Sequence, residues 1–162
     1  MKIRNFLCIA VLWVLTQAGN FSLAQDVEVI DTAQLVRIIN EKTPKTKVIS
    51  FWATWCKPCV QELPYLEDVN VSGKAEVILV SVDFLEDIDE KVYKFIREHD
   101  LTSRICLLDN VNYNSWIDRV DKSWTGSIPA TLVINTTNGK RKFLEKQIKE
   151  GELDDLIKEF NN

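Results

Sequence analysis

The chain has 162 residues, of which 46% are hydrophobic and 27% charged, and a net charge of −4. That length is one domain with at most an appendage, and the balance of apolar to charged residues excludes a disordered chain. The acidic balance excludes an electrostatic nucleic-acid binder. The one basic cluster, Gly139–Lys142, reads as ordinary solvated charge where a turn enters a strand.

The N-terminus reads as a secretory signal. Lys2 and Arg4 form a positive head, Phe6–Ala18 is an apolar run, and Ser22–Ala24 supplies small residues before a cut that would leave Gln25 first. The alternative is an uncleaved anchor, for which the run is short. Cys8 reads as filler in that run. This divides the chain into a signal peptide, 1–24, and one domain, 25–162. Loss of Lys2 and Arg4 leaves the remainder more acidic still.

Val27–Ile30 is a short strand. Asp31 caps a helix through about Asn40, with Gln34 placed three residues on as in a capping box. Lys47–Ala53 is a near-continuous apolar run, the mark of a strand covered on both faces. A helix begins around Cys56–Cys59 and runs to about Val69, with Pro64 expected to kink it. Glu76–Asp83 is a second buried strand. Asp87–Asp100 places Ile88, Val92, Phe95 and Ile96 on one helical face. Arg104–Asp109 is a third buried strand, and Asn112–Val120 is partly helical. Ala130–Asn135 and Lys140–Lys146 flank Thr136–Gly139, within which Asn138-Gly139 is a hairpin-turn signal. Leu153, Leu156, Ile157 and Phe160 make the stripe of a last helix. Alternating strands and helices predict an α/β fold, a parallel sheet with helices on both faces and an antiparallel hairpin at its edge.

The stretch Trp52–Cys59 sets two cysteines three apart where a buried strand hands over to a helix, the place where open α/β sheets put their chemistry. Zinc would need about four N or S ligands, and there is no second Cys-X-X-Cys and only one histidine, His99. Covalent haem attachment needs a histidine after the second cysteine, where Val60 stands. A static disulfide over so small a loop gains little chain entropy. Disulfide exchange remains. A thiolate at a helix mouth faces unpaired N–H groups and the positive end of the dipole, which lowers its pKa. Cys56 would attack and Cys59, one turn in and more shielded, would resolve. Pro58 suits an early helical position. Trp55 is expected to be exposed beside the pair and Trp52 to be core. Cys106, in an apolar strand, reads as a buried small hydrophobe.

The combination of "FWATWCKPC", Glu62 and Pro64 in "CVQELP", and "SIPATLVIN" about 70 positions later resembles the thioredoxin superfamily, and within it the exported thiol–disulfide oxidoreductases of the TlpA/ResA type. The resemblance covers nearly all of Val27–Phe160. It implies a thioredoxin-like fold, a central mixed sheet with helices on both faces, and a helix–strand insertion at about Asp87–Asp109. It makes Cys56 and Cys59 a redox-active disulfide. It also makes Pro129 a cis-proline abutting that pair, whereas the residues alone read Ile128-Pro129 as an ordinary turn. Ile128 would then offer backbone groups to an extended substrate, with Trp55 and Pro58 flanking it. Glu62 would be a partly buried carboxylate with a raised pKa that exchanges a proton with Cys59. Ordinary thioredoxins carry an aspartate where this chain has Ser50, so that relay is moved, with Glu62 its candidate seat.

The expected function is exported thiol–disulfide exchange, mainly reducing, because Lys57-Pro58 stabilises the thiolate less than the histidine of strong oxidants does. The implied partners are protein thiols and disulfides, apocytochrome c among them, and a membrane electron-donor protein; no cofactor, metal or nucleic acid is expected. Export means the periplasm in a Gram-negative source, and otherwise secretion or membrane anchoring. The alternative is a thioredoxin scaffold that binds copper or a partner without turnover, but the chain has only His99 and Met1 to add to the cysteines. A peroxide-reducing relative is a third reading, against which the Cys-X-X-Cys pair argues.

Overall fold

A computed structural model of the chain describes residues 26–161; the expected signal, Cys8 and the cut before Gln25 lie outside them. Strand β1 (Val27–Ile30) leads into α1 (Thr32–Asn40), then β2 (Lys47–Trp52), α2 (Lys57–Val71) and β3 (Glu76–Ser81). The chain continues through α3 (Tyr93–Glu98), β4 (Arg104–Leu108), α4 (Ile117–Val120), β5 (Ala130–Asn135), β6 (Lys140–Leu144) and α5 (Glu152–Asn161). The six strands form one mixed sheet in the order β1-β4-β3-β2-β5-β6. β1, β4, β3 and β2 run parallel; β5 pairs antiparallel with β2, and β6 antiparallel with β5. The expected helix–strand insertion thus contributes β4, which separates β1 from β3.

Alternation along β2 decides what each face carries. All six of its residues are buried. Phe51 packs on Trp116 and Trp124, with ring centroids 5.9 and 4.7 Å away, and Lys47 reaches back to the end of α1. On the other face Trp52 packs on Phe95, at 5.3 Å, and the Ser50 hydroxyl reaches Glu62 of α2. The steps β2–α2–β3–α3–β4 move one way across the sheet and the step β1–α1–β2 moves the other way. With right-handed crossovers this puts α1 on the face opposite α2 and α3.

The expected capping box is present. Gln34 N–H donates to Asp31 Oδ1 at 2.7 Å, and Asp31 N–H to Gln34 Oε1 at 2.9 Å. α2 continues through Pro64 to Val71. Two details differ from expectation. The single helix over Asp87–Asp100 is a composite of a 3₁₀ turn (Leu85–Asp87), a π turn (Ile88–Val92) and α3. The wider turn still buries Val92 and Ile96 on one side, so apolar spacing alone did not reveal it. The β5–β6 connection is the expected Thr136–Gly139 turn, with the register pairing Asn135 and Lys140. Asn135 shapes that loop by accepting through Oδ1 from the Thr137 N–H at 3.0 Å, and Gly139 closes it at φ 76°. The basic cluster is engaged rather than merely solvated: Lys140 Nζ donates to the Glu159 carbonyl at 2.6 Å, and Arg141 donates to the Val120 carbonyl and pairs with Asp121.

Candidate active site

β2 ends at Trp52, and the turn that follows delivers Cys56 to the mouth of α2. The Cys56 N–H closes the turn onto the Ala53 carbonyl at 3.1 Å. Cys56 is the N-cap of α2, with extended backbone, and its sulfur accepts from the Cys59 N–H at 3.3 Å. Cys56 and Cys59 form a disulfide, with Cα atoms 5.2 Å apart. Cys59 is fully buried and Cys56 retains 5% exposure, so the leading sulfur is the more accessible one. Pro58, exposed at the second helical position, has no N–H to leave unpaired. Trp55 is 64% exposed and Trp52 is fully buried, as expected for both.

The turn is clasped from β3. Asp83, nearly buried, accepts from the Thr54 N–H at 3.0 Å and the Thr54 hydroxyl at 2.7 Å, and from the Ser81 hydroxyl at 2.7 Å. Exposed Phe84 and Leu85 follow it directly. The sequence reading did not single out Asp83. An aspartate just past a buried strand was the available signal.

Glu62 lies on α2, three residues past Cys59, and is fully buried. Its Oε2 accepts from the Ile148 N–H at 2.6 Å, and its Oε1 takes a long hydrogen bond from the Ser50 hydroxyl at 3.4 Å. Burial pushes its carboxyl up to about 7, against the lowering effect of the Ile148 and Ser50 hydrogen bonds, while Glu152 adds to the rise. A carboxyl poised there can take or give a proton at neutral pH. Ser50, noted in the sequence only as a departure from thioredoxin, is thus a hydrogen-bond partner of the residue suspected of replacing the missing aspartate. Ile148 gave no sign in the sequence, because its contribution is a backbone N–H.

The Ile128-Pro129 bond is cis. Pro129 lies one residue before the Phe51–Ala130 pair of the β2–β5 ladder, at the end of β2 that leads to the cysteines. Pro129 is buried and Ile128 partly exposed. The fold therefore places Trp55, Cys56, Pro58, Cys59, Glu62, Ile128 and Pro129 toward the end of β2 where β5 begins. Cys106 is elsewhere, buried in β4, its thiol pushed up to about 11, chiefly by burial. Among the described residues no group of three or more His, Cys, Asp or Glu side chains is placed to hold a metal. None of their helices is long and apolar enough to cross a membrane.

The chain matches the AhpC/TSA family over residues 14–140. It is 36% identical over 88 residues to the thiol-disulfide oxidoreductase ResA of Oceanobacillus iheyensis, a stretch that covers 52% of this chain and 43% of that protein. It is 38% identical over 76 residues to the thioredoxin-like protein YneN of Bacillus subtilis, covering 43% of this chain and 44% of that one. The chain thus spans under half the length of these curated relatives. Two solved structures share the fold. A thioredoxin-related protein of Neisseria meningitidis serogroup B has a TM-score of 0.62 and 21% identity, over 75% of this chain and 87% of that one. StoA of Bacillus subtilis has a TM-score of 0.53 and 23% identity, over 72% and 81%.

Proposed function

The chain belongs to the AhpC/TSA family, and from that premise we propose that it is an exported thiol–disulfide oxidoreductase that passes electrons to protein disulfides. One observation carries the reading: a disulfide whose leading sulfur caps a helix and receives the Cys59 N–H, with a buried carboxyl of pKa about 7 less than one turn further on. In the reduced protein the Cys56 thiolate attacks a substrate disulfide. A Cys56–substrate bond forms and one substrate thiolate leaves. Cys59 then gives its proton to Glu62 and attacks the Cys56 sulfur. The Cys56–Cys59 bond closes, and the second substrate thiol departs with the electron pair. Ile128 and Pro129 receive the substrate segment, and Trp55 and Pro58 border it.

The direction is reducing, with the disulfide of apocytochrome c among the substrates and a membrane protein restoring the dithiol. Lys57, exposed beside Cys56, offers the thiolate only a screened charge. The potential measured against glutathione should therefore lie well below the roughly −120 mV of strong periplasmic oxidants; a value near theirs reverses the direction. The defining test is trapping in the native cell. Cys59→Ser should accumulate mixed disulfides that dissolve in reductant, and Cys56→Ser should accumulate none. The opposite pattern overturns the assignment of attacking and resolving sulfurs, and trapping by neither overturns the function.

A further inference from the structure

Two parts of this site sit on different elements: the Ile128-Pro129 loop before β5, and Glu62 on α2. One short segment after β6 holds both. Glu145, the first residue past β6, lays a half-buried carboxylate along the loop. It accepts from the Thr125 N–H through Oε2 at 3.0 Å, from the Ser127 N–H through Oε1 at 3.0 Å, and from the Thr125 hydroxyl. Burial pulls that carboxyl up, but the hydrogen bonds from Thr125 and Ser127 more than offset this and hold it below its ordinary value. The loop is seated from its other side by Trp124, whose Nε1 donates to the Ser127 carbonyl at 2.8 Å and whose ring packs on Phe143 of β6.

Three residues past Glu145, the fully buried Ile148 donates its N–H to Glu62 at 2.6 Å. Between them, Gln147 Nε2 donates to Gln61 Oε1 at 3.3 Å, a second tie to α2 beside Glu62. At about 3.8 Å per Cα step the two holds lie within about 11 Å of each other along the chain.

We propose that Glu145–Ile148 is a brace coupling the Ile128-Pro129 loop to Glu62, with Glu145 the residue that positions the loop for substrate. The proposal rests on the roles given above to that loop and to Glu62. A substrate segment seated on the loop bears on Glu145, and through Ile148 on the hydrogen bond that favours the charged form of Glu62. Cutting the Glu145 hold frees both ends. The groups acting on Glu62 are Ser50 from β2, Ile148 from the brace and Glu152 from α5, itself paired with Lys146. The Ile148 bond depends on the brace position directly, and Glu152 depends on it through Lys146. Losing the Ile148 bond raises the Glu62 midpoint, because that bond lowers it.

The experiment uses the full chain with Glu145→Ala and Glu145→Gln. Glu62 is followed by the pH dependence of its carboxyl carbon shift, and exchange by steady-state reduction of insulin disulfides. For Glu145→Ala the Glu62 midpoint should move up by about half a pH unit and KM should rise about tenfold. Glu145→Gln, whose amide oxygen still accepts from Thr125 and Ser127, should recover most of both. An unchanged Glu62 midpoint or an unchanged KM overturns the coupling. If neither Cys59→Ser nor Cys56→Ser traps a substrate while the Glu62 midpoint still moves in Glu145→Ala, the proposed function falls and the tie between Glu145 and Glu62 stands.

Discussion

Strand β2 carries a buried ionisable partnership at each end, and the two are built on opposite terms. At its start Lys47, 1% exposed, gives Nζ to three carbonyls at the end of α1, those of Ile38, Ile39 and Glu41. Those groups have no partner within the helix, and the negative end of its dipole lies there. Burial lowers the Lys47 pKa, while Glu76 and Glu41 pull the other way. Toward its end, on the other face, Ser50 serves Glu62, which has one short and one long hydrogen bond for two oxygens and no cation among the influences on its charge. A buried charge supplied with every partner it can use is a structural rivet. One left short of partners holds its proton loosely at neutral pH and is available for chemistry.

Three substitutions test that contrast. The largest effect belongs to the rivet. Lys47→Met should cost about 4 kcal/mol in urea unfolding, because three carbonyls lose their donor, while exchange per folded molecule stays unchanged. A loss of activity without a loss of stability would erase the distinction. Glu62→Gln comes next. A carboxyl at about 7 in the folded chain against 4.5 in its ordinary state lends stability that is complete below pH 4.5 and is lost as pH rises through 7. The difference is about 3 kcal/mol. Relative to the wild type, the glutamine variant should gain that much between pH 4.5 and 8.5, and its exchange profile should lose the inflection near 7. An unchanged profile removes Glu62 from the mechanism. Ser50→Ala is the smallest: the Glu62 inflection should rise by about half a unit at under about 1 kcal/mol of stability, since the Ser50 hydrogen bond lowers it. A fall would mean that Ser50 favours the protonated form.

Much of this architecture was legible in the residues. The apolar run of β2, the Asp31–Gln34 cap and the placing of Cys56 where strand meets helix follow from local pattern, which a short sequence window contains. The cis bond at Pro129 was legible only through the family resemblance, because an isolated Ile-Pro pair does not declare its isomer. What lay out of reach depends on which distant segment arrives beside which. That Ser50 faces α2 and Lys47 faces α1 follows from strand parity only once the crossover directions are known. The Ile148 N–H at Glu62 comes from 86 positions away in the chain and belongs to a group every residue except proline possesses. The π turn before α3 was hidden because it preserves the apolar stripe.

The clasp of Asp83 on Thr54 has a consequence for the newborn chain. The turn that presents Cys56 is fastened by a residue synthesised after α2 and β3. Until that stretch has emerged and docked, the turn has only its local hold, the Cys56 N–H on the Ala53 carbonyl. The presentation of the leading sulfur is therefore completed only with the βαβ unit that carries Asp83.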